Sequence, residues 1–145
     1  MEYVIKRIDK SQIKNLKLLF SSVYHKNYVD LEGIDKKFQT SEFGLEYLGY
    51  LAYPNNNNTE MPAAYYGVFP MLASIKGRKI LCAQSGDTMT HKDHRKKGLF
   101  IKLAKLTYET AKREGVEFIF GFPSPSSYPG FKHKLEWVFP FNMVK

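Results

Sequence analysis

The chain has 145 residues, with 22 Lys plus Arg against 14 Asp plus Glu, a net charge of +8, and 43% hydrophobic residues. Such a length and apolar content suit one folded domain and exclude disordered and low-complexity classes. One cysteine, Cys82, excludes a disulfide scaffold and suits a reducing, cytoplasmic compartment. No run of about 18 apolar residues predicts a membrane span, and Lys6, Arg7, Lys10, Lys14 and Lys17 interrupt any apolar leader near the start.

In chain order, Glu2 to Ile8 alternates and predicts a first strand. Ser11 is placed to cap a helix whose apolar residues Ile13, Leu16, Leu19, Phe20 and Val23 recur at three- and four-residue spacing. Residues 25–40 are polar, with at most a short helix around Ile34–Phe38. An aromatic strand is expected from Phe43 to Tyr53, and Pro54 with Asn55 to Asn58 forms a hairpin loop. Ala63 to Ile75 is the next strand, where Pro70 implies a bend or an edge position. Gly77-Arg78 turns into a third strand running from Lys79 to about Thr90.

Leu99 to about Glu114 is the best helix, with a stripe of Phe100, Leu103, Ala104, Thr107 and Ala111 and a cap at Gly115. Val116 to Phe122 reads as a strand with Val116, Phe118, Phe120 and Phe122 on one face. Pro123, Pro125 and Pro129 then break the chain before a short helix or turn at Phe131–Trp137. The order implies an α/β (α+β mixed) fold: central antiparallel strands lead into a parallel β-α-β unit, with helices flanking the sheet.

The charge is not spread evenly. Between His91 and Arg113, eight basic residues face only Asp93 and Glu109. Lys102, Lys105, Lys112 and Arg113 fit a solvated helix face. The remaining cluster, Arg95-Lys96-Lys97-Gly98, lies where a strand ends and the helix begins. A helix start offers free N–H groups and roughly half a positive charge, and Gly98 lets an oxygen approach the backbone closely. Together these make a site for a phosphate or pyrophosphate. The loop lacks the Gly-Lys-Ser/Thr of a P-loop and the three glycines of a dinucleotide fingerprint, which disfavours triphosphate hydrolysis and nicotinamide binding.

The run Arg95-Lys96-Lys97-Gly98-Leu99-Phe100 resembles the acyl-coenzyme A signature R/Q-x-x-G-x-G/A of the GNAT superfamily of N-acetyltransferases, and the element order agrees across nearly the whole chain. Gly121-Phe122-Pro123, Ser127-Tyr128-Pro129-Gly130-Phe131 and Lys134-Leu135-Glu136-Trp137 are similar to a GFPNxxSYPGFxKKLGW-like segment of one branch. The resemblance implies a single GNAT-like domain over 1–145, either complete or lacking the last strands. It implies acetyl-coenzyme A as co-substrate and an amine acceptor, with a homodimer left open; the residues themselves point to no metal and no membrane partner, and charge focused on one helix start disfavours nucleic acid. Backbone N–H groups of Lys96, Lys97, Gly98, Leu99 and Phe100 would hold the pyrophosphate, Arg95 would shape the loop, and main chain at Met89 and Thr90 would pair with the pantetheine arm.

The sequence also departs from that pattern. Phe100 replaces a small residue and predicts a crowded helix start. Lys132 stands where many relatives carry the tyrosine that protonates the leaving thiolate, and Tyr128 is the nearby substitute. Asp87, an acid within an apolar strand, is the candidate base; a strand-end carboxylate satisfied by its neighbours is the alternative. His91 and His94 lack the further ligands and the charge environment of a metal site. Cys82 reads as a buried small hydrophobe. Tyr47, Tyr50, Tyr53, Tyr65, Tyr66 and Phe69 read as core packing, with hydroxyls available to an acceptor cleft. Two other functions fit the same residues: a non-catalytic acyl-coenzyme A-binding domain, and a basic nucleic-acid-binding module.

Overall fold

The computed structural model describes residues 2–25, 32–55 and 60–139. In chain order these form β1 (Tyr3–Arg7), α1 (Ile13–Tyr24), α2 (Glu32–Lys37), β2 (Leu48–Pro54), β3 (Ala64–Ile75), β4 (Arg78–Thr90), α3 (Leu99–Arg113) and β5 (Phe118–Phe120), followed by a helical turn at Gly130–Lys134. The strands make one sheet in the order β1-β2-β3-β4-β5. Neighbours are antiparallel except β4 and β5, which run parallel across the α3 crossover. The expected mixed sheet is therefore present. No helix among the described residues is long and apolar enough to cross a membrane.

Alternation along the strands feeds two cores. On one face Leu48, Ala52, Ala64, Tyr66, Val68 and Ala83 pack beneath Leu99, Leu103, Ala104 and Ala111 of α3. On the other, Leu51, Tyr53, Tyr65 and Met89 pack beneath Ile13, Leu16 and Leu19 of α1, with Ile34 and Phe38 at α2. Each large apolar side chain so buried contributes about 1.5–3 kcal/mol. The polar face of α3, Lys102, Lys105, Lys112 and Arg113, is exposed as expected.

Several boundaries differ from the sequence reading, each for a local reason. Asp9 rather than Ser11 is the first cap: its carboxylate accepts the Ser11 N–H, and a short 3-10 turn precedes α1. β2 starts at Leu48 rather than Phe43, because Ser41–Phe43 coil into a turn closed by Gly44 at φ 84°. The β3–β4 turn is Lys76-Gly77, with φ of 51° and 78°, the twist that a two-residue hairpin needs. Pro70 lies opposite Ala83, beyond the last β2–β3 pair at Leu48–Val68, so no ladder bond to β2 is lost. The Asn-rich loop lies outside the described residues from 56 to 59, as does any strand in 140–145.

β5 is shorter than expected. It has three residues, Phe118 is 39% exposed and Phe122 68% exposed, and Ile119 between them faces the α3 core. Phe118 and Phe122 thus lie outward, whereas Val116, expected on the same face, is buried against α3. A β-bulge interrupts β4: Tyr66 opposes Thr88 but Val68 opposes Ser85, leaving one extra residue at Gly86-Asp87. Phe69 lies across the gap, its ring 2.1 Å from where a Gly86 Cβ would stand.

Glycine serves the same purpose at Gly49 and Gly67, which pair across β2 and β3 beneath the fully buried Tyr65. A Cβ at Gly67 would lie 2.0 Å from the Tyr65 Oη. Gly67→Ala should therefore destabilise the fold by about 1–3 kcal/mol through overpacking, read as a lower urea midpoint at unchanged slope. A midpoint equal to wild type would mean that the Tyr65 ring is free to move aside.

Candidate functional site

β4 and β5 are paired only at Cys82–Gln84 with Phe118–Phe120. Past Gln84, β4 keeps β3 on one side but no strand on the other among the described residues, while Gly121 to Ser124 leave the sheet. A cleft of about 770 Å³ opens between them. Ser85 to Thr90 form one wall, and Gly121 to Ser124 with Ser126 and Ser127 form the other. Val23, Tyr24, Arg95, Lys96, Phe100, Phe131 and Trp137 complete it. Gly121 lets the walls meet, since a Cβ there would be 3.0 Å from Ser85 Cβ and 3.3 Å from the Trp137 ring.

One end of the cleft is the start of α3. Its ladder begins with Lys102 N–H donating to the Gly98 carbonyl, so the N–H groups of Leu99, Phe100 and Ile101 precede the ladder, and no side chain caps them. Lys96 and Gly98 take the left-handed φ of 62° and 75° just before the helix begins. Arg95 Nε donates to the Thr90 carbonyl at 3.3 Å and ties the loop across its base. A Cβ at Gly98 would meet nothing within 4 Å, so the cradle has room. These groups fit a pyrophosphate.

The Phe100 ring does not crowd this end. It turns onto Tyr66 and Phe131, with ring centroids 5.9 and 5.2 Å away. Gly130 admits it, as a Cβ there would stand 2.8 Å from the ring.

Asp87 lies on the opposite side of β4. Its carboxylate, with the side chain 19% exposed, accepts from Lys37 Nζ of α2 at 3.3 Å. Tyr24, at the end of α1, is held above the ordinary phenol range by burial and by Asp87, with Arg95 opposing. Burial, reinforced by Asp87, pushes the Tyr65 phenol up as well; its buried hydroxyl has no hydrogen-bond partner.

On the α3 side runs a chain of hydroxyls. Tyr66 Oη is 2.7 Å from Ser85 Oγ and 2.8 Å from Tyr108 Oη, and Trp137 Nε1 donates to Tyr108 Oη at 3.1 Å. Burial raises both phenols and keeps them as neutral O–H groups.

The cleft thus brings together Asp87, Met89, Thr90, Arg95, Lys96 and Phe100 of the expected residues. The Met89 side chain is buried among the α1 core, so only its main chain faces the gap. Leu99 is buried in the α3 core, where its N–H alone is available, and Lys97 and Gly98 belong to the loop without lining the cavity. Tyr128 does not line it either: its ring packs on Phe139 at 4.7 Å with Lys132 Nζ 5.6 Å above. Tyr24, Ser85 and Trp137 escaped the sequence reading. Ser85-Gly86-Asp87, small and polar inside an apolar strand, was the one signal for Ser85.

A family profile described as acetyltransferase (GNAT) domain matches residues 4–139. The chain belongs to the GNAT acetyltransferase family. Solved GNAT structures have the same fold at low identity. Glucosamine-6-phosphate N-acetyltransferase from Arabidopsis thaliana is 12% identical with TM-score 0.70, covering 100% of this chain and 98% of that one. An aminoglycoside 6'-N-acetyltransferase from Acinetobacter haemolyticus is 12% identical with TM-score 0.70, over 98% and 95%. An aminoglycoside N-acetyltransferase in complex with coenzyme A is 10% identical with TM-score 0.67, over 99% and 92%. No curated protein matches.

In this GNAT chain the two loop histidines are engaged locally. His91 Nδ1 accepts the Asp93 N–H at 3.2 Å, and His94 Nδ1 is hydrogen-bonded to the Tyr3 hydroxyl at 2.9 Å, joining β1 to the loop. No group of three or more His, Cys, Asp or Glu gathers among the described residues. Burial, then His91, lowers the His94 pKa below its ordinary 6.5, with Asp93 opposing and Lys97 adding to the fall. The folded chain accordingly binds this proton less readily than the unfolded one. Its contribution to stability is complete above pH 6.5 and is lost as the pH falls below it. Thermal unfolding should show the midpoint dropping between about pH 7 and 5, with a smaller drop in His94→Gln; equal drops would remove His94 as the cause.

Proposed function

We propose that this GNAT domain, one unit over residues 1–145, is an N-acetyltransferase moving an acetyl group from acetyl-coenzyme A to a primary amine of a small molecule or protein. The observation that carries this reading is the cleft's continuity: it runs from an anion cradle at the α3 start, along an unpaired strand edge, to a carboxylate in a bulge. The cradle suits the pyrophosphate, with Arg95 and Lys96 beside it. The main chain of Met89 and Thr90 suits the amides of an extended pantetheine arm, which would lie as one more strand beside β4. Asp87 suits the acceptor, since a carboxylate that already holds the Lys37 ammonium at 3.3 Å can hold or deprotonate another amine. That pair is partly exposed and worth about 0–1 kcal/mol, weak enough for an incoming ammonium to displace.

Acetyl-coenzyme A held by the cradle would supply the activated acyl group. The protein orients the thioester and the amine within one cleft, which removes much of the entropic cost of their meeting. Tyr128 is left out of the reaction, because its ring is packed on Phe139 away from the lining. The free, buried Cys82 fits work in a reducing, cytoplasmic compartment. The acceptor is a small-molecule amine or a protein amine, and the aminoglycoside and hexosamine phosphate acted on by the structural neighbours are reasonable first trials.

The nucleic-acid reading is disfavoured by where the charge lies, behind the cleft on the outer face of α3 and at one loop rather than along a strand surface. Calorimetric titration of acetyl-coenzyme A and of yeast RNA separates the two. Heat of binding from acetyl-coenzyme A, with RNA affinity falling away at moderate salt, is expected; the opposite pattern sinks the acetyltransferase reading.

Gly98→Glu tests the cradle itself. Its left-handed φ of 75° costs any side chain about 1 kcal/mol of strain, and the glutamate adds a negative charge at the phosphate position. Affinity for acetyl-coenzyme A should fall at least tenfold, or about 1.4 kcal/mol, and further than in Gly98→Ala, which carries the strain alone. Unchanged affinity would put the phosphates elsewhere.

A further inference from the structure

Resting on the reading above, we propose that Ser85 is the proton donor to the leaving sulfur and that Tyr66, Tyr108 and Trp137 are the positioning residues that make it one. The argument starts from an asymmetry of donors. An indole N–H can only donate. Trp137 therefore gives its hydrogen to Tyr108 Oη, 3.1 Å away. The Tyr108 proton then has Tyr66 Oη as its partner at 2.8 Å, and the Tyr66 proton has Ser85 Oγ at 2.7 Å. In this direction every proton in the chain is used, and the one left over is on Ser85. Run the other way, Tyr108 would accept twice and its own proton would be stranded in a part-buried site. The chain is thus polarised toward the cleft, each bond strengthening the next.

Ser85 is also where the sulfur is expected. It is the first β4 residue past the last β5 pair, at the deep end of the gap, and it lines the cavity. From Thr90, beside the cradle, the strand edge runs about 17 Å to Ser85 at roughly 3.3 Å per residue, a span of the order of an extended pantetheine arm. As the acceptor nitrogen bonds the carbonyl carbon, the C–S bond breaks and its electron pair goes to sulfur. Ser85 gives sulfur its proton, Tyr66 restores Ser85, and Tyr108 restores Tyr66. The surplus proton of the amine returns to Tyr108 through solvent. Amine and thioester become amide and thiol, with nothing left over.

The test needs no acceptor. Coenzyme A, carrying its free thiol, is bound to the purified chain, and the thiolate's ultraviolet absorbance is followed with pH. A donor on sulfur stabilises the thiolate, so the bound thiol in wild type should be more acidic than in Ser85→Ala by roughly tenfold in its dissociation constant. Tyr66→Phe keeps the ring and keeps Ser85 but removes the proton behind it, and should lose part of the same shift. Arg95, Lys96, Lys37, Asp87 and Tyr24 also act on a thiol in this cleft, but all are present in every variant, so the difference isolates the hydroxyls. Equal titration in wild type and Ser85→Ala, with coenzyme bound in both, overturns the relay and leaves the acetyltransferase reading standing. Failure of the wild type to bind coenzyme A overturns the reading, and the relay with it.

Discussion

β4 and β5 share three residue pairs and then part, and the site is a consequence of that parting. Had the parallel pairing continued, the β4 edge from Ser85 to Thr90 would be closed by a neighbour and there would be no cleft. Two features stop it. The extra residue at Gly86-Asp87 bends β4 and increases its local twist. On the other strand, Gly121 packs directly against Ser85 and Trp137, and Pro123 follows, so the chain turns off the sheet instead of extending it. The exposed edge still carries backbone N–H and C=O groups that need partners. An extended molecule with amides of its own is a natural partner for them.

The bulge does a second thing. Residues two apart in a regular strand share a face, so Ser85 and Asp87 should point the same way. With one extra residue between them they do not. Ser85 is hydrogen-bonded to Tyr66 in the α3 core, whereas Asp87 is paired with Lys37 on the α2 side. A single local irregularity thus presents a hydroxyl donor and a carboxylate on opposite sides of one strand, both at the cleft. The proposed transfer to an amine would use that division, with one group for the nitrogen's proton and another for the departing sulfur.

Much of this architecture was legible because it is periodic. The α3 stripe, the alternation of β2 and β3 and the two-helix layer all follow from apolar spacing, and the anion cradle follows from a glycine among basic residues at a strand–helix junction. What could not be read is what depends on register. The bulge has no signature beyond Gly86, which on its own is an ordinary weak point in a strand. Alternation put Phe118, Phe120 and Phe122 on one face without saying which way it points; Ile119 faces the α3 core, while Phe118 and Phe122 are exposed. The hydroxyl chain joins residues 19, 42 and 29 positions apart, from β3, β4, α3 and the segment after β5. Each of its tyrosines looks like packing in sequence, and only the fold shows that the rings pack while the hydroxyls align.

The net charge of +8 separates into parts that act at different ranges. Lys102, Lys105, Lys112 and Arg113 are exposed on the outer face of α3, and at physiological salt their field is screened within about 8 Å. They raise the encounter rate with an anion without holding it. Arg95 and Lys96 line the cleft and act at contact, together with the N–H groups of the helix start. At the proposed acceptor end Asp87 is paired with Lys37, and an ammonium that displaced Lys37 from the carboxylate would sit beside a second positive charge still tethered to α2. In the proposed function the basic end of the cleft, with Arg95 and Lys96, favours an anion, and the other end offers a carboxylate that is already paired. Tyr24, Thr88 and the serines after Pro123 form the walls there, and they set the shape that a proposed acceptor has to fit.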